Sequence, residues 1–326
     1  MTVLLRADDL TRAFPVRRGI MDVLTGRPAR VVRALAGVTL TVRRGETLAV
    51  VGESGCGKST LARALVRLVA LDSGQIDYDG LDVRSLTGEA LRRYNRRVQM
   101  VFQDPYGSLN PRMTVSETLA EALQVHRMVP PAKIPARVAE LLDLVRLPLS
   151  AAQRLPHEFS GGQRQRVAIA RALSVEPELL IADEIVSALD VSVQAQILNL
   201  LVDMQEQLSL AMLFVSHDLR VVRHLAHQVA VMYLGRVVEH GQADRVFAAP
   251  LHPYTQALLR AAPILQPGLR STESALRGEL PSPMQEVSGC PFHPRCPLAF
   301  DRCRSEPPRL RVKDGHGAVC HLVPEV

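Results

Sequence analysis

The chain has 326 residues, 47% of them hydrophobic and 22% charged, a balance that supports a large buried core and excludes disorder throughout. No apolar run approaches the ~20 residues that cross a bilayer; the longest candidates, such as Leu208 to Ser216, have the length of a strand. Net charge is +6, from 39 Lys and Arg against 33 Asp and Glu.

The opening residues Met1 to Arg6 lack a basic region followed by an apolar stretch and a cleavage site, so cytosolic exposure is expected. The first 44 residues carry nine Arg against three Asp, which concentrates the positive excess at the front. Such a front can meet nucleic acid or anionic lipid. These arginines are dispersed, however, and 36 of the 39 basic residues in the chain are Arg, which favours compositional bias and a solvated surface. No nucleic-acid partner is expected.

In chain order, a strand is expected near Val3, followed by an aromatic at Phe14 and by an Arg-, Gly- and Pro-bearing loop or insertion over Pro15 to Arg30. Val31 to Val42 resumes an apolar pattern, Arg44-Gly45 supplies a turn, and Thr47 to Val51 is a β-branched and apolar run suited to a buried strand. Gly52 to Thr60 reads Gly-Glu-Ser-Gly-Cys-Gly-Lys-Ser-Thr and fits the phosphate-loop pattern G-x-x-x-x-G-K-[ST]. Here Gly52, Gly55 and Gly57 let successive backbone N–H groups turn inward around an anion, with Glu53, Ser54 and Cys56 between them. Lys58 can reach the β- and γ-phosphates, and the Ser59 hydroxyl can ligate Mg2+. Leu61 to Leu71 carries apolar residues at helical spacing, with Arg63 and Arg67 between, so a helix N-terminus adds its positive dipole end to the site.

Asp72-Ser73-Gly74 and Asp79-Gly80 bracket a short hairpin strand, Gln75 to Tyr78, and Val98 to Phe102 is another buried strand. Gln103 ends it and opens a turn-rich run. Ser116 to Leu147 is mainly helical, interrupted by Pro130, Pro131 and Pro135, and Ser160-Gly161-Gly162 begins a further helix through about Leu173. Glu178 to Asp183 is a strand ending on two carboxylates, Asp183 and Glu184. A helix over Val191 to Leu208 precedes the strand Ala211 to Val215, with His217 just beyond its end. Gln228 to Leu234 and Arg236 to Glu239 form a hairpin across Gly235. Strands alternating with helices imply an α/β fold with a mostly parallel sheet. Beyond about Pro250 the composition shifts towards proline and a small appended unit follows.

Asp183 stands where a Walker B carboxylate binds Mg2+, and Glu184 can polarise the attacking water of a hydrolysis. Phe159-Ser160-Gly161-Gly162-Gln163 exposes backbone N–H groups at a helix start and lies 102 residues after Lys58. Of five cysteines, Cys290, Cys296, Cys303 and Cys320 fall in the last 37 residues. In a cytosolic chain this group reads as a metal or cluster site before it reads as disulfides. Its C-x5-C-x6-C-x16-C spacing lacks the C-x2-C pairs of structural zinc sites.

The Ser160–Gln163 segment resembles the signature sequence of ABC-type ATPases. By that resemblance it closes over the γ-phosphate held by an opposing subunit, so a dimer is implied. Gln103 is similar to the Q-loop glutamine that ligates Mg2+, Ser187 to Asp190 to the D-loop, Ser216-His217-Asp218 to the switch histidine, and Phe14 to the adenine-stacking aromatic. The resemblance narrows to the ATP-binding subunits of bacterial dipeptide and oligopeptide ABC importers and covers nearly the whole chain. It rests on Phe14 to Gly19, Val101 to Arg112, Leu251 to Leu259, Gly278 to Pro283 and the terminal cysteines. One departure is Ile185, where the family usually has proline.

The resemblance implies an ABC nucleotide-binding domain over 1–250 with a helical insert at about 104–172, and a C-terminal extension over 251–326. It also implies ATP and Mg2+, a 4Fe-4S cluster on Cys290, Cys296, Cys303 and Cys320, and catalytic roles for Glu184 and His217. Expected partners are a paralogous ATP-binding subunit or a second copy, two transmembrane permease subunits and an extracytoplasmic peptide-binding protein. The expected location is the cytoplasmic face of the plasma membrane. Competing classes are a soluble ABC ATPase acting on ribosomes or DNA, an importer ATPase for a nickel complex, and a metal-cluster sensor that merely binds nucleotide. A single core weakens the first, and intact Glu184 and His217 weaken the last.

Overall fold

The computed structural model describes residues 2–16, 31–261, 281, 284 and 287–324. Residues 17–30 of the predicted loop lie outside these, as does all of 278–283 except Pro281. The strands are β1 (Val3–Pro15), β2 (Val31–Arg43), β3 (Thr47–Val51), β4 (Ser73–Tyr78), β5 (Leu81–Asp82) and β6 (Val98–Val101). They continue with β7 (Leu179–Asp183), β8 (Ala211–Ser216), β9 (Gln228–Tyr233), β10 (Arg236–Gln242), β11 (Leu310–Lys313) and β12 (His316–Val319). The chain forms two compact units. One comprises Met1–Leu4, Val42–Thr47 and Leu81–Val215; the other comprises Leu5–Thr41, Leu48–Gly80 and Ser216–Val326.

In the first unit β6, β7 and β8 run parallel, with Val101 opposite Ala182 and Asp183 opposite Val215. Every residue of β7 and β8 is buried, which accounts for their unbroken apolar runs. The expected helical stretch from Ser116 resolves into Val115–Val125 and Ile134–Leu144. Pro135 starts the second of these rather than breaking it, because the first turn of a helix has no partner for the missing N–H. Thr114 caps the first in a reciprocal box with Glu117. The turn-rich run after Gln103 contains a single helical turn, Pro105–Ser108. The arginine-rich helix Gly88–Arg97 was not expected, because Tyr94 is its one buried residue and no apolar stripe announces it.

In the second unit β3 pairs parallel with β9, and the sheet continues antiparallel through β10, β12 and β11. The tail strands therefore extend this sheet from its β10 edge. Separately, β1 pairs antiparallel with β4. The helix after the phosphate loop spans Lys58–Leu65, shorter than its apolar pattern suggested. Arg67 adopts a left-handed conformation (φ 60°), and the N–H of Leu68 returns to the Arg63 carbonyl at 2.9 Å, closing the helix end.

A bulge in β10 between Val237 and Glu239 re-aims the Glu239 side chain into the interior, where it is fully buried. Its carboxylate accepts the N–H groups of Leu251 (2.7 Å) and His252 (2.9 Å) and faces Nε2 of His316 on β12 at 2.8 Å. His252 in turn accepts the N–H of Tyr254 through Nδ1 at 3.0 Å, which fixes the start of the helix Pro253–Ala261. Burial lowers the His252 pKa to about 4. Below the ordinary histidine value the unfolded chain binds a proton here that the folded chain refuses, so stability at this position is kept above ~6.5 and falls as pH drops towards 4. Urea unfolding should register a loss on the order of 3 kcal/mol across that window from this group. His252→Asn, whose amide oxygen can still accept the Tyr254 N–H, should lose measurably less; equal losses would refute the assignment.

Candidate active site

The phosphate loop follows β3 directly. Gly57 caps the helix Lys58–Leu65 with φ 107°, and a Cβ there would lie 2.1 Å from the Ala34 carbonyl oxygen. A Cβ on Gly52 would lie 2.2 Å from the Met232 carbonyl oxygen. Both glycines are thus required by close backbone approach. The turn Leu234-Gly235 ties into the same place, with the Gly235 N–H donating to the Cys56 carbonyl at 2.8 Å and its carbonyl accepting from Ala36 N–H at 2.8 Å.

Ser54 and Gly55 are exposed, Ser59 and Thr60 are half-buried, and no side chain caps the helix start, whose first N–H groups have no partner within the helix. Lys58 is buried and donates to the carbonyls of Gly52 (2.9 Å) and Glu53 (3.0 Å), which places its ammonium at the mouth of the loop. Burial raises the Cys56 thiol pKa, with Lys58 opposing the shift. These features fit a triphosphate: a concave backbone, a helix N-terminus and one buried cation.

Phe14 lies near the end of β1, half-buried, with the Arg12 guanidinium 4.7 Å from its ring centroid. Arg12 is itself paired with Asp72 at 2.8 Å. One face of the expected stacking aromatic therefore already carries a cation. His217 follows β8, exposed, just before the helix Leu219–Leu225 that Asp218 caps through the Arg220 N–H.

In the first unit Asp183 ends β7 fully buried, and Glu184 follows in a left-handed conformation (φ 49°) with its N–H on the Val215 carbonyl at 3.1 Å. Gln103 Nε2 donates to a Glu184 carboxylate oxygen at 3.3 Å and approaches the Ser187 hydroxyl at 3.4 Å, which joins three of the expected motifs. Ser187 also donates to the Glu184 carbonyl at 2.9 Å. Ile185, the departure from the resemblance, is buried.

Ser160 caps the helix Gly161–Leu173 in a reciprocal box with Gln163, and its hydroxyl accepts the Gln163 N–H at 3.3 Å. A Cβ on Gly162 would lie 2.3 Å from Val193 Cγ1, and one on Gly161 would lie 3.2 Å from Leu189 Cδ2. The signature segment is thus packed on the D-loop and on the helix that follows it. Asp190 is exposed at the start of that helix, Val191–Leu208, where its side chain makes no capping bond.

Among the described residues no group of three or more His, Cys, Asp or Glu is placed to hold a metal ion. Cys290, Cys303 and Cys320 are buried, Cys296 is half-buried, and none is in a disulfide. Burial first, then the neighbouring thiols of Cys320, Cys303 and Cys296, push Cys290 up to about 11. The backbone joins two of the four directly, the Cys290 N–H donating to the Cys303 carbonyl at 2.8 Å. Sequence reasoning missed Arg295, whose guanidinium forks onto the Glu53 carboxylate at 2.6 and 2.9 Å from 242 residues away.

A family model described as ABC transporter matches residues 35–187, and one described as oligopeptide/dipeptide transporter, C-terminal region, matches residues 238–303. The probable peptide ABC transporter ATP-binding protein y4tS of Sinorhizobium fredii is 52% identical over 98% of this chain and 90% of its own length. The chain belongs to the ATP-binding proteins of peptide ABC transporters. The di/tripeptide transport ATP-binding protein DppF of Pseudomonas aeruginosa is 48% identical over 98% of both chains. Among solved structures, cbiO1 of Clostridium perfringens, part of the ABC transporter complex cbiONQ, aligns with TM-score 0.65 and 29% identity over 76% of this chain and 92% of its own. The dimeric cassette MJ0796, bound to ADP and phosphate in a post-hydrolysis state, aligns with TM-score 0.63 and 27% identity over 74% of this chain and 99% of its own. The chain is an ATP-hydrolysing transporter subunit of the α/β cassette fold.

The loop geometry separates its glycines. Gly57→Ala should destabilise the chain by about 3 kcal/mol or more, since backbone must shift as well as φ. Gly55→Ala, with open space around the new methyl, should cost only about 1 kcal/mol for its left-handed backbone. Denaturant unfolding of the two variants checks the difference.

Proposed function

We propose that the chain energises the import of di- or oligopeptides across a bacterial plasma membrane, acting at the cytoplasmic face. The observation that carries this reading is the match of residues 238–303 to the C-terminal region of oligopeptide and dipeptide transporters, on a chain whose preceding part matches the ABC cassette. No helix among the described residues is long and apolar enough to cross a membrane. We assign two transmembrane permeases, an extracytoplasmic peptide-binding protein and a second ATP-binding subunit as partners. The cassette is assigned to 1–250, with its helical insert at about 104–172, and the peptide-importer extension to 251–326.

In this reading Gly52 to Thr60 cradles the phosphates, Lys58 neutralises the β- and γ-oxygens, and Ser59, Gln103 and Asp183 would hold Mg2+, which would supply further positive charge to the phosphates. Glu184 polarises the attacking water, and its hydrogen bond from Gln103 supports a role for Gln103 in orienting that carboxylate. Phe14 supports the adenine, His217 contacts the γ-phosphate, and Ser160 to Gln163 serves the site of the opposing subunit, with Asp190 communicating across the dimer.

Two measurements test these roles. In the assembled transporter Glu184→Gln should retain ATP binding and lose turnover by about 10²-fold or more, whereas Lys58→Ala should weaken binding itself. Wild-type hydrolysis by E184Q would overturn the catalytic assignment.

We further propose that Cys290, Cys296, Cys303 and Cys320 hold a structural 4Fe-4S cluster. The reading rests on the sequence: four cysteines in the last 37 residues, spaced C-x5-C-x6-C-x16-C without the C-x2-C pairs of structural zinc sites, match the four-thiolate ligand set of such clusters. Anaerobic purification followed by iron, sulfide and zinc analysis should give about four irons and four sulfides per chain; zinc without iron, or four titratable thiols without metal, would remove the assignment.

A further inference from the structure

Glu53, the second residue of the phosphate loop, is gripped by the C-terminal part of the chain at two points. Its N–H donates to the Tyr254 hydroxyl at 2.9 Å, and its carboxylate receives both terminal nitrogens of Arg295. Its carbonyl accepts from Lys58 Nζ and from the Cys56 N–H, at 3.0 and 3.3 Å. Nearly every polar group of this one residue is therefore committed to holding loop shape.

The grip is built on a packed base. The Arg295 side chain is 5% exposed, with its guanidinium carbon 5.9 Å from the Tyr233 ring centroid. The rings of Tyr233, Tyr254 and Phe292 meet in edge-on and tilted contacts with centroids 4.8 to 5.5 Å apart. Tyr254 is in turn fixed by His252 and Glu239. A bidentate pair on a buried arginine sets orientation as well as distance.

We propose that Arg295 and Tyr254 are positioning residues for the phosphate loop, holding Glu53 so that the loop keeps its anion-binding shape when Lys58 leaves the loop carbonyls for the nucleotide. The proposal rests on ATP binding at Gly52 to Thr60. Lys58 bridges the carbonyls of Gly52 and Glu53, and where a phosphate draws on that ammonium the tail contacts hold Glu53 in its place. The extension thereby sets nucleotide affinity rather than the chemical step.

The test uses the full chain, with trinitrophenyl-ATP binding, and the assembled transporter, with steady-state ATPase kinetics. Arg295→Gln and Tyr254→Phe should each raise the Kd and the KM for nucleotide by about three- to tenfold with kcat changed less than about twofold. Y254F removes only a hydroxyl, so the fold survives even where the arginine variant is damaged. In a Glu53→Gln background, Arg295→Gln should change affinity by less than about twofold, because the pair it would break is already gone. Wild-type affinity in both single variants, additive effects in the double variant, or a loss confined to melting temperature with unchanged Kd in the folded fraction would each overturn the proposal. A wild-type chain that binds no nucleotide would overturn the reading beneath it as well.

Discussion

A loop that offers its N–H groups to an anion cannot satisfy them within itself, so its shape must be imposed from behind. Here the imposition is steric and backbone-to-backbone: Gly57 lies against the Ala34 carbonyl, Gly52 against that of Met232, and Gly235 bonds Cys56 directly. Backbone is the least compliant neighbour a residue can have, which is why glycine alone fits at these two places. The parallel pairing of β3 with β9 brings the Leu234-Gly235 turn to the loop, and β10 then returns the chain to Glu239.

From Glu239 the dependence runs into the tail. One buried carboxylate organises the Leu251–Tyr254 corner through two backbone N–H groups and meets His316 on β12. A buried charge so placed is costly to strip of its partners, so corner, strand and tail hairpin form one cooperative set. The tail hairpin also covers an edge of β10 that would otherwise present unpaired N–H and C=O groups. Its strands are four residues each, the outer one largely exposed and the inner one largely buried, which suits that covering role better than a core of their own.

The cassette was legible because its signals are local. Thr47–Val51 and Ala211–Ser216 are wholly buried strands and read as unbroken apolar runs, and the phosphate loop and signature are contiguous motifs at helix starts. The helix after the loop was over-extended because apolar spacing continues past Leu65, while the stop depends on a left-handed Arg67 that spacing does not reveal. The strands Leu310–Lys313 and His316–Val319 were missed because the first is largely exposed and the second largely buried, so neither alternates over its four residues. Arg295 was invisible for a different reason: its partner is 242 residues away, and nothing in either neighbourhood names the other.

The glycine at the second signature position has a mechanical meaning. With Gly162 pressed against the Val193 side chain and Gly161 close to that of Leu189, a single layer of side chains separates the backbone of the helix Gly161–Leu173 from the D-loop and the helix Val191–Leu208. Close-packed surfaces transmit strain rather than absorbing it. A shift of either helix is therefore passed to the other, and the start of the helix Gly161–Leu173 and the D-loop are held to move as one body.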